Sequence, residues 1–352
     1  MINKKTDPVS MAKVKDNSVT INDIASALGV SKATVSLALN DDPRVAVKTR
    51  LKVLEKSKDL GYIYNRGAAG LTKKETRTIG LAVHDITNPY FSEVCAAIEA
   101  VLSQNGRMAF LCNSTESIEH QTRFIEALSE YRADGLILCP AEGTTIASLQ
   151  LLLKQRLPTV LTTRDVEGAE LDFVGNNEFQ ALKLTTEHLI TLGHRQIIMI
   201  GGGRQTTTSQ KRRAGYMSAM KSHGLYVAPE MLIDCESKTG MGEDAVLQVM
   251  SRPNPPTAIV CFTDQIALGV LSGLHRQGLK PGQDIAVTGC DDIEEAGRGY
   301  IRLTTARIKK SLIGQEAAKI LLKRIAEPDI PQQRIVLEPE LIIRKSSGIG
   351  KK

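Results

Sequence analysis

The stretch from Val19 to Asn40, VTINDIASALGVSKATVSLALN, constrains this chain most. Thr20 with an acid three residues on, Asp23, marks a helix start. Ile24, Ala25 and Leu28 fall at helical spacing on one face. Gly29 then supplies a tight turn, Val30 fills the elbow, and Ser31 caps a second helix. Val35 and Leu39, four residues apart, face back toward the first helix. Lys32, Ala33, Thr34 and Ser36 stay on the outer face. The pattern predicts a helix-turn-helix whose second helix is slim enough to enter a DNA major groove.

Charge supports that reading. Residues 1–74 hold 14 Lys+Arg and 7 Asp+Glu; the whole chain holds 45 and 39, which leaves 31 and 32 for the remainder. The basic excess therefore lies in the segment with the motif, as phosphate neutralisation requires. The chain has 352 residues, enough for two or three domains with full cores. It has no apolar run of about 18 residues, so no membrane span is expected. MINKKTDPVSMAKVKDNS lacks the apolar stretch of a signal peptide, which predicts a cytoplasmic chain. Cys95, Cys112, Cys139, Cys235, Cys261 and Cys290 are scattered, with no CxxC pair, and read as reduced core thiols. The six histidines show no ligand spacing, so no metal is expected.

Along the chain, residues 1–18 read as a disordered tail and 19–62 as a three-helix headpiece, the third helix running from about Lys48 to Leu60. Residues 63–76 read as a hinge. From Thr78 the pattern alternates. Short apolar runs at Ile79–Val83, Met108–Cys112, Leu136–Cys139, Val160–Thr162, Ile197–Ile200, Ala258–Cys261 and Ile285–Thr288 are separated by helical stretches such as Ser92–Gln104, Gln180–Leu192 and Gln265–Gln277. Repeated βα units mean parallel sheets with helices on both faces. Two such sets, before and after about residue 165, predict two similar subdomains with a cleft between them. Residues 346–352 read as a tail.

The AxxxGVSxxTVSxxLN arrangement near the start resembles the signature of the lactose-repressor (LacI/GalR) family of bacterial transcription regulators. The likeness extends over about residues 19–345. It implies an α/β chain: an all-α helix-turn-helix headpiece, then a parallel-sheet core of the periplasmic binding protein type. The core chain would cross between subdomains three times, giving about 77–165 plus 308–335 and about 166–307 plus 336–345. It also implies a hinge helix that folds when a homodimer lies on a palindromic operator, with Asn65 and Arg66 near the DNA and Leu71 wedged into a central base step. Here the chain departs from the family: Tyr64 stands where proline is usual. Gly67 and Gly70 would each cost such a helix about 0.8–1 kcal/mol relative to alanine. Gly67→Ala should therefore tighten operator binding. The segment QNGRMAFL and the leucine in TVSLAL further resemble the maltose-regulon repressor subgroup.

For DNA reading, Lys32 and Ala33 hold the first positions of the second helix, with Leu37 one turn on. The resemblance assigns these three most of the base discrimination. Arginine is frequent in relatives at the Leu37 position; leucine suits a thymine methyl instead. Thr20, Ser31, Thr34, Ser36 and Asn40 suit phosphate contacts, which set register without reading sequence.

Ligands in open parallel sheets bind beyond the carboxyl ends of the strands. After Ile79–Val83 comes HDITNPYF, with Asp85 and the aromatic pair Tyr90 and Phe91, which the resemblance places in the cleft against a sugar ring or base. After Ile197–Ile200, Arg212 matches the family's effector-binding arginine, suited to paired bonds with hydroxyls or an anion. Asp291 matches its effector-binding aspartate. Asp264 is a further candidate at the third strand exit, though it also suits a structural cap. Thr263 and Thr163 depart from the asparagine and aspartate common there. The run Gly201-Gly202-Gly203 lacks nucleotide-loop spacing, so no cofactor is expected. His188 and His194 match a structural family element.

The resulting expectation is a transcription repressor, not an enzyme, acting on double-stranded DNA. Effector binding in the core cleft would be linked to operator affinity, each weakening the other equally. The resemblance and cleft residues favour a sugar or phosphosugar effector; a purine or other metabolite, or a solute-binding role, are the alternatives. A carboxylate enzyme built on Asp264, Asp291 and Asp292 lacks a nucleophile–base pair or metal set.

Overall fold

The computed structural model describes residues 19–62, 75–203 and 205–348. The tail 1–18, the hinge positions Tyr64, Asn65, Arg66, Gly67, Gly70 and Leu71, and residues 349–352 lie outside the described residues. The chain divides into two compact units that meet between Lys74 and Glu75.

The first unit is the headpiece: α1 (Ile21–Leu28), α2 (Lys32–Leu39) and α3 (Val47–Asp59). At the start of α1 the Asp23 carboxylate accepts from the Thr20 backbone N–H and from its hydroxyl, both at 2.7 Å. These bonds, the backbone one first, hold Asp23 below its ordinary pKa. Gly29 ends α1 at φ 62°, ψ 33°, a left-handed turn that glycine adopts without Cβ strain. Ser31 then accepts the Thr34 N–H at 3.0 Å and starts α2. Ile24, Ala25, Val35, Ala38, Val45 and Val53 form the small core.

The second unit holds two six-stranded sheets. The chain first lays down β1 (Thr78–Val83), α4 (Pro89–Gln104), β2 (Met108–Asn113), α5 (Ile118–Glu130), β3 (Gly135–Leu138), α6 (Gln150–Lys154), β4 (Thr159–Thr162) and β5 (Asp172–Asn176). It then crosses to α7 (Glu178–Thr191), β6 (Ile197–Ile200), α8 (Thr207–Ser222), β7 (Leu232–Ile233), α9 (Thr239–Met250), β8 (Ala258–Cys261), α10 (Asp264–Arg276), β9 (Ala286–Asp291), α11 (Glu294–Arg298) and β10 (Thr304–Arg307). It returns through α12 (Lys310–Ala326) and β11 (Arg334–Leu337), and crosses once more to β12 (Glu340–Ile342). The sheet orders are β11-β5-β4-β3-β1-β2 and β12-β10-β9-β8-β6-β7. All pairs are parallel except β10 with β12. Strands such as β3, β4, β6 and β8 are buried at every residue, as sheets covered on both faces require.

Two expected boundaries move. The first crossing comes after Asn176, not near residue 165, because β5 joins the first sheet in register Val160↔Asp172 to Thr162↔Val174. The acid at the head of this strand hides it from a hydrophobicity reading. Asp172 is nonetheless buried, its carboxylate accepting from Arg324 of α12 at 2.8 and 2.9 Å. The return segment also reaches Leu337, since β11 pairs with β5. The expected C-terminal tail is corrected as well: Ser346 and Ser347 are docked and buried. The Ser346 hydroxyl donates to the Val287 carbonyl at 2.6 Å and accepts the Thr304 N–H at 2.8 Å. Ser347 meets the Thr304 hydroxyl at 2.8 Å and His188 Nε2 at 2.9 Å, which gives His188 its structural role. Among the described residues, no helix is long and apolar enough to cross a membrane.

Candidate functional site

On the headpiece, the first turn of α2 presents Lys32 and Ala33 at exposed positions, with the capping Ser31 beside them. Several expected phosphate ligands are already engaged. The Thr20 hydroxyl donates to Asp23. The Ser31 and Thr34 hydroxyls bond each other at 2.9 Å, leaving one hydroxyl proton of the pair for a phosphate. Asn40 Nδ2 donates to the Ser36 carbonyl at 2.8 Å and closes the end of α2. Ser36 and Leu37 are half-buried, and Leu37 packs against the headpiece core. Only part of its side chain is left for a base edge.

The core contains a cleft of about 300 Å³, at the lower end of small-ligand pockets. It is lined from the carboxyl ends of strands in both sheets, because every βα unit turns over there. Tyr90 and Phe91 sit in the first turn of α4, where Asn88 accepts the Tyr90 N–H at 3.0 Å and fixes the turn. Both rings are buried and line the cavity. Phe91 stands edge-on to Tyr90 (centroids 4.8 Å) and to His84 (4.3 Å), an arrangement aromatic quadrupoles favour. The Tyr90 hydroxyl meets Thr163 Oγ1 at 3.1 Å, so Thr163 anchors the ring. Asp85 also lines the cleft, one carboxylate oxygen taken by the Thr87 N–H and hydroxyl at 3.0 and 2.6 Å.

Across the cavity, Arg212 of α8 is buried among partners. Nε donates to Glu178 at 2.5 Å, Nη1 to the Phe262 carbonyl at 2.6 Å and Nη2 to Asp291 at 3.1 Å. Its guanidinium lies 4.8 Å from the centre of the Phe262 ring. A fixed planar fork of donors suits such a site. Burial raises the Asp291 carboxyl to about 6, with Glu178 adding to the rise while Arg212 and Lys310 oppose it.

Asp264 is not brought to the cleft. It is wholly buried beneath it, accepting from the Thr305 hydroxyl at 2.6 Å and the Ile293 N–H at 3.0 Å. Burial first, then the neighbouring Asp291, pushes its carboxyl up to about 7. It ties α10 to β10 and is a structural acid, which corrects its place among the effector contacts. Thr263 does line the cavity, and its hydroxyl caps α10 by accepting the Ile266 N–H at 3.4 Å.

Sequence reasoning missed a cluster on the near wall. Arg164 donates to both oxygens of Glu116, at 2.7 and 2.8 Å, and to the Pro140 carbonyl at 3.0 Å. His84 Nε2 lies 3.5 Å from Glu116. Burial would raise Glu116, but the bonds and charge of Arg164, with His84 behind, hold it near 2. Glu178, the partner of Arg212, was missed too. Both acids stand at strand exits, after β2 and β5, so reading every exit for charge would have found them. Cys235, one of the expected core thiols, instead lines the cleft.

A small helix-turn-helix unit followed by a two-sheet core with a ligand cleft at the strand ends defines a ligand-responsive DNA-binding regulator. The comparisons agree. Residues 20–65 match the family described as bacterial regulatory proteins, lacI family, and residues 76–343 match periplasmic binding proteins and sugar binding domain of LacI family. The chain belongs to the LacI family. It is 34% identical to the ribose operon repressor of Escherichia coli K12, across 93% of this chain and 99% of that one. It is 33% identical to the HTH-type transcriptional repressor PurR of Pasteurella multocida, across 93% and 98%. Among solved structures, the lac repressor dimer bound to operator and the anti-inducer ONPF superposes with a TM-score of 0.84 at 26% identity, covering 94% of this chain and 99% of that one. A LacI-family regulator from Enterococcus faecium with bound ribose gives 0.70 at 27%, covering 78% and 100%. The protein is therefore a repressor-type, sequence-specific DNA-binding regulator with an effector-binding core, and not an enzyme.

Proposed function

We propose that the effector is an uncharged sugar, and that it acts on a cytoplasmic repressor bound to a palindromic operator. The observation that carries this is the charge state of the cleft wall. Among the described residues, the three cations lining it each face a carboxylate: Arg164 with Glu116, Arg212 with Glu178 and Asp291, and Lys238 with Glu236 at 2.6 Å. At Arg164 or Arg212 a phosphosugar would have to displace a buried acid, and breaking a buried pair costs about 3–5 kcal/mol; the Lys238–Glu236 pair is exposed and adds little to the choice. A neutral polyol needs no such exchange. Its hydroxyls can accept from the arginines and donate to the acids, while Phe91 and Phe262 cover its apolar face.

Asp85, Tyr90, Phe91, Arg212 and Asp291 are the residues to which this reading assigns the contacts. Lys32, Ala33 and Leu37 are assigned the base edges, and the remaining motif hydroxyls and Asn40 the phosphates. Asn65, Arg66 and Leu71 keep the hinge roles that the family implies. The relatives named above include the ribose operon repressor and PurR, so the maltose-regulon likeness of QNGRMAFL selects no effector by itself.

Calorimetric titration of the full-length protein with pentoses, hexoses, their phosphates and purine bases tests the proposal. A neutral sugar binding at least about tenfold (1.4 kcal/mol) more tightly than its phosphate supports it. Binding confined to phosphosugars or purines sinks it. An operator fragment selected from random DNA then shows whether that ligand releases or recruits the repressor.

A further inference from the structure

We propose that Lys310 is a positioning residue that ties the effector cleft to the inter-subdomain hinge. It opens α12 immediately after the second crossing and is almost wholly buried. Its ammonium donates to two successive backbone carbonyls, those of Asp291 at 2.7 Å and Asp292 at 2.9 Å, and lies 3.4 Å from the Glu93 carboxylate. A buried ammonium has three protons to satisfy; the two carbonyls accept two of them, and the Glu93 carboxylate supplies the counter-charge.

The acceptors come from both halves of the core. Glu93 lies on α4, the helix whose first turn carries Tyr90 and Phe91, and α12 packs along α4. Asp291 ends β9 in the other sheet and Asp292 follows it. Their backbone is unusual: φ is 126° at Asp291 and 52° at Asp292, a left-handed conformation that L side chains resist. Neither is glycine, so the turn needs outside support. Lys310 provides it by drawing both carbonyls to one charge.

Asp291 therefore faces two ways. Its carboxylate holds Arg212 in the cleft, and its carbonyl holds Lys310 at the hinge. A ligand that draws on the Asp291 carboxylate shifts the peptide that Lys310 grips. Through α12 and α4, that shift reaches the half of the core that follows the headpiece in sequence. The regulatory consequence rests on the cleft being the effector site; the tie itself is read without any ligand.

Hydrogen–deuterium exchange of the ligand-free, full-length protein tests the tie. The segment 289–296 contains the Ile293 amide, which donates to Asp264. In Lys310→Met, exchange in this segment should be about tenfold faster, the scale of a lost charged hydrogen bond, with peptides from β6, β8 and residues 19–62 unchanged. Glu93→Gln, at a half-exposed position on α4, removes only the ion pair and should give roughly two- to threefold. Wild-type exchange in 289–296 for Lys310→Met overturns the proposal. So does an equal acceleration across β6 and β8, the signature of general destabilisation. Should the methionine variant not fold, Glu93→Gln decides: unchanged exchange overturns the tie, faster exchange confined to 289–296 upholds it.

Discussion

Arg212 is held by two carboxylates and a carbonyl inside a wall that water scarcely reaches. Arg212→Met should remove the cation that pairs with both buried acids, Glu178 and Asp291. The expected loss is about 3–5 kcal/mol of folding stability, read by urea unfolding; a loss under about 1 kcal/mol would mean that the acids relax into solvent or protonate at little cost. The buried acid beneath the cleft has a pH signature. The Asp264 carboxyl lies at about 7 in the folded chain against an ordinary 3.8. The folded state thus holds a proton that the unfolded state has lost. Its contribution to stability is fully present below about 3.8 and is lost as pH rises through about 7. Asp264→Asn abolishes this titration, so the variant's stability should fall less across that window than the wild type's. Parallel slopes for the two proteins would contradict the assignment. Glu116, held near 2 by Arg164, works in the opposite sense and loses its contribution as pH falls below the ordinary 4.5.

At the scale of elements, α2 presents the residues assigned to DNA, and α8, backed by α7, lines one wall of the cleft. Lys32 stands exposed in the first turn of α2. Lys32→Ala should weaken operator binding and relax the base preference at the position it reads, with the salt slope nearly unchanged. A salt slope lower by about one counterion with base preference intact would instead assign it to a phosphate. In the core, α8 lies against α7 so closely that a Cβ at Gly215 would stand 2.0 Å from the Phe179 carbonyl. Gly215→Ala should push the helices apart and cost about 1–3 kcal/mol, measured by thermal unfolding. Arg212 is one turn away on the same helix, so effector affinity should fall with it. The glycine is legible in the sequence, but its reason is not, because the carbonyl it admits belongs to a different helix.

For the whole molecule, the decisive feature is the edge of the first sheet. β2 is its terminal strand and exposes Met108, Phe110 and Leu111, with Tyr131 beside them, 6.4 Å between the Phe110 and Tyr131 rings. Natural edge strands are usually covered or charged, and a second copy of this chain would supply that cover. Leu111→Glu should shift the protein toward monomer in sedimentation velocity and weaken binding to a two-fold operator more than to a half-site. A dimer of wild-type strength would place the interface elsewhere.

What the sequence could supply follows local physics. Thr20, Gly29 and Ser31 set the headpiece turns through bonds to residues at most four positions away. The buried strands announce themselves by continuous apolar runs, and Tyr90, Phe91, Arg212 and Asp291 stand at strand exits, where parallel sheets bind ligands. Contacts distant along the chain stayed hidden. Asp172 begins a strand only because Arg324, 152 residues on, neutralises it. Ser346 and Ser347 read as tail until Thr304 and His188 are seen to hold them. Asp264 belonged to the cleft by position and to the interior by fold. Helix starts, turns and apolar runs are decided by neighbours in the chain. Which charge meets which, and whether a carboxylate faces ligand or core, depends on elements that only folding brings within 3 Å.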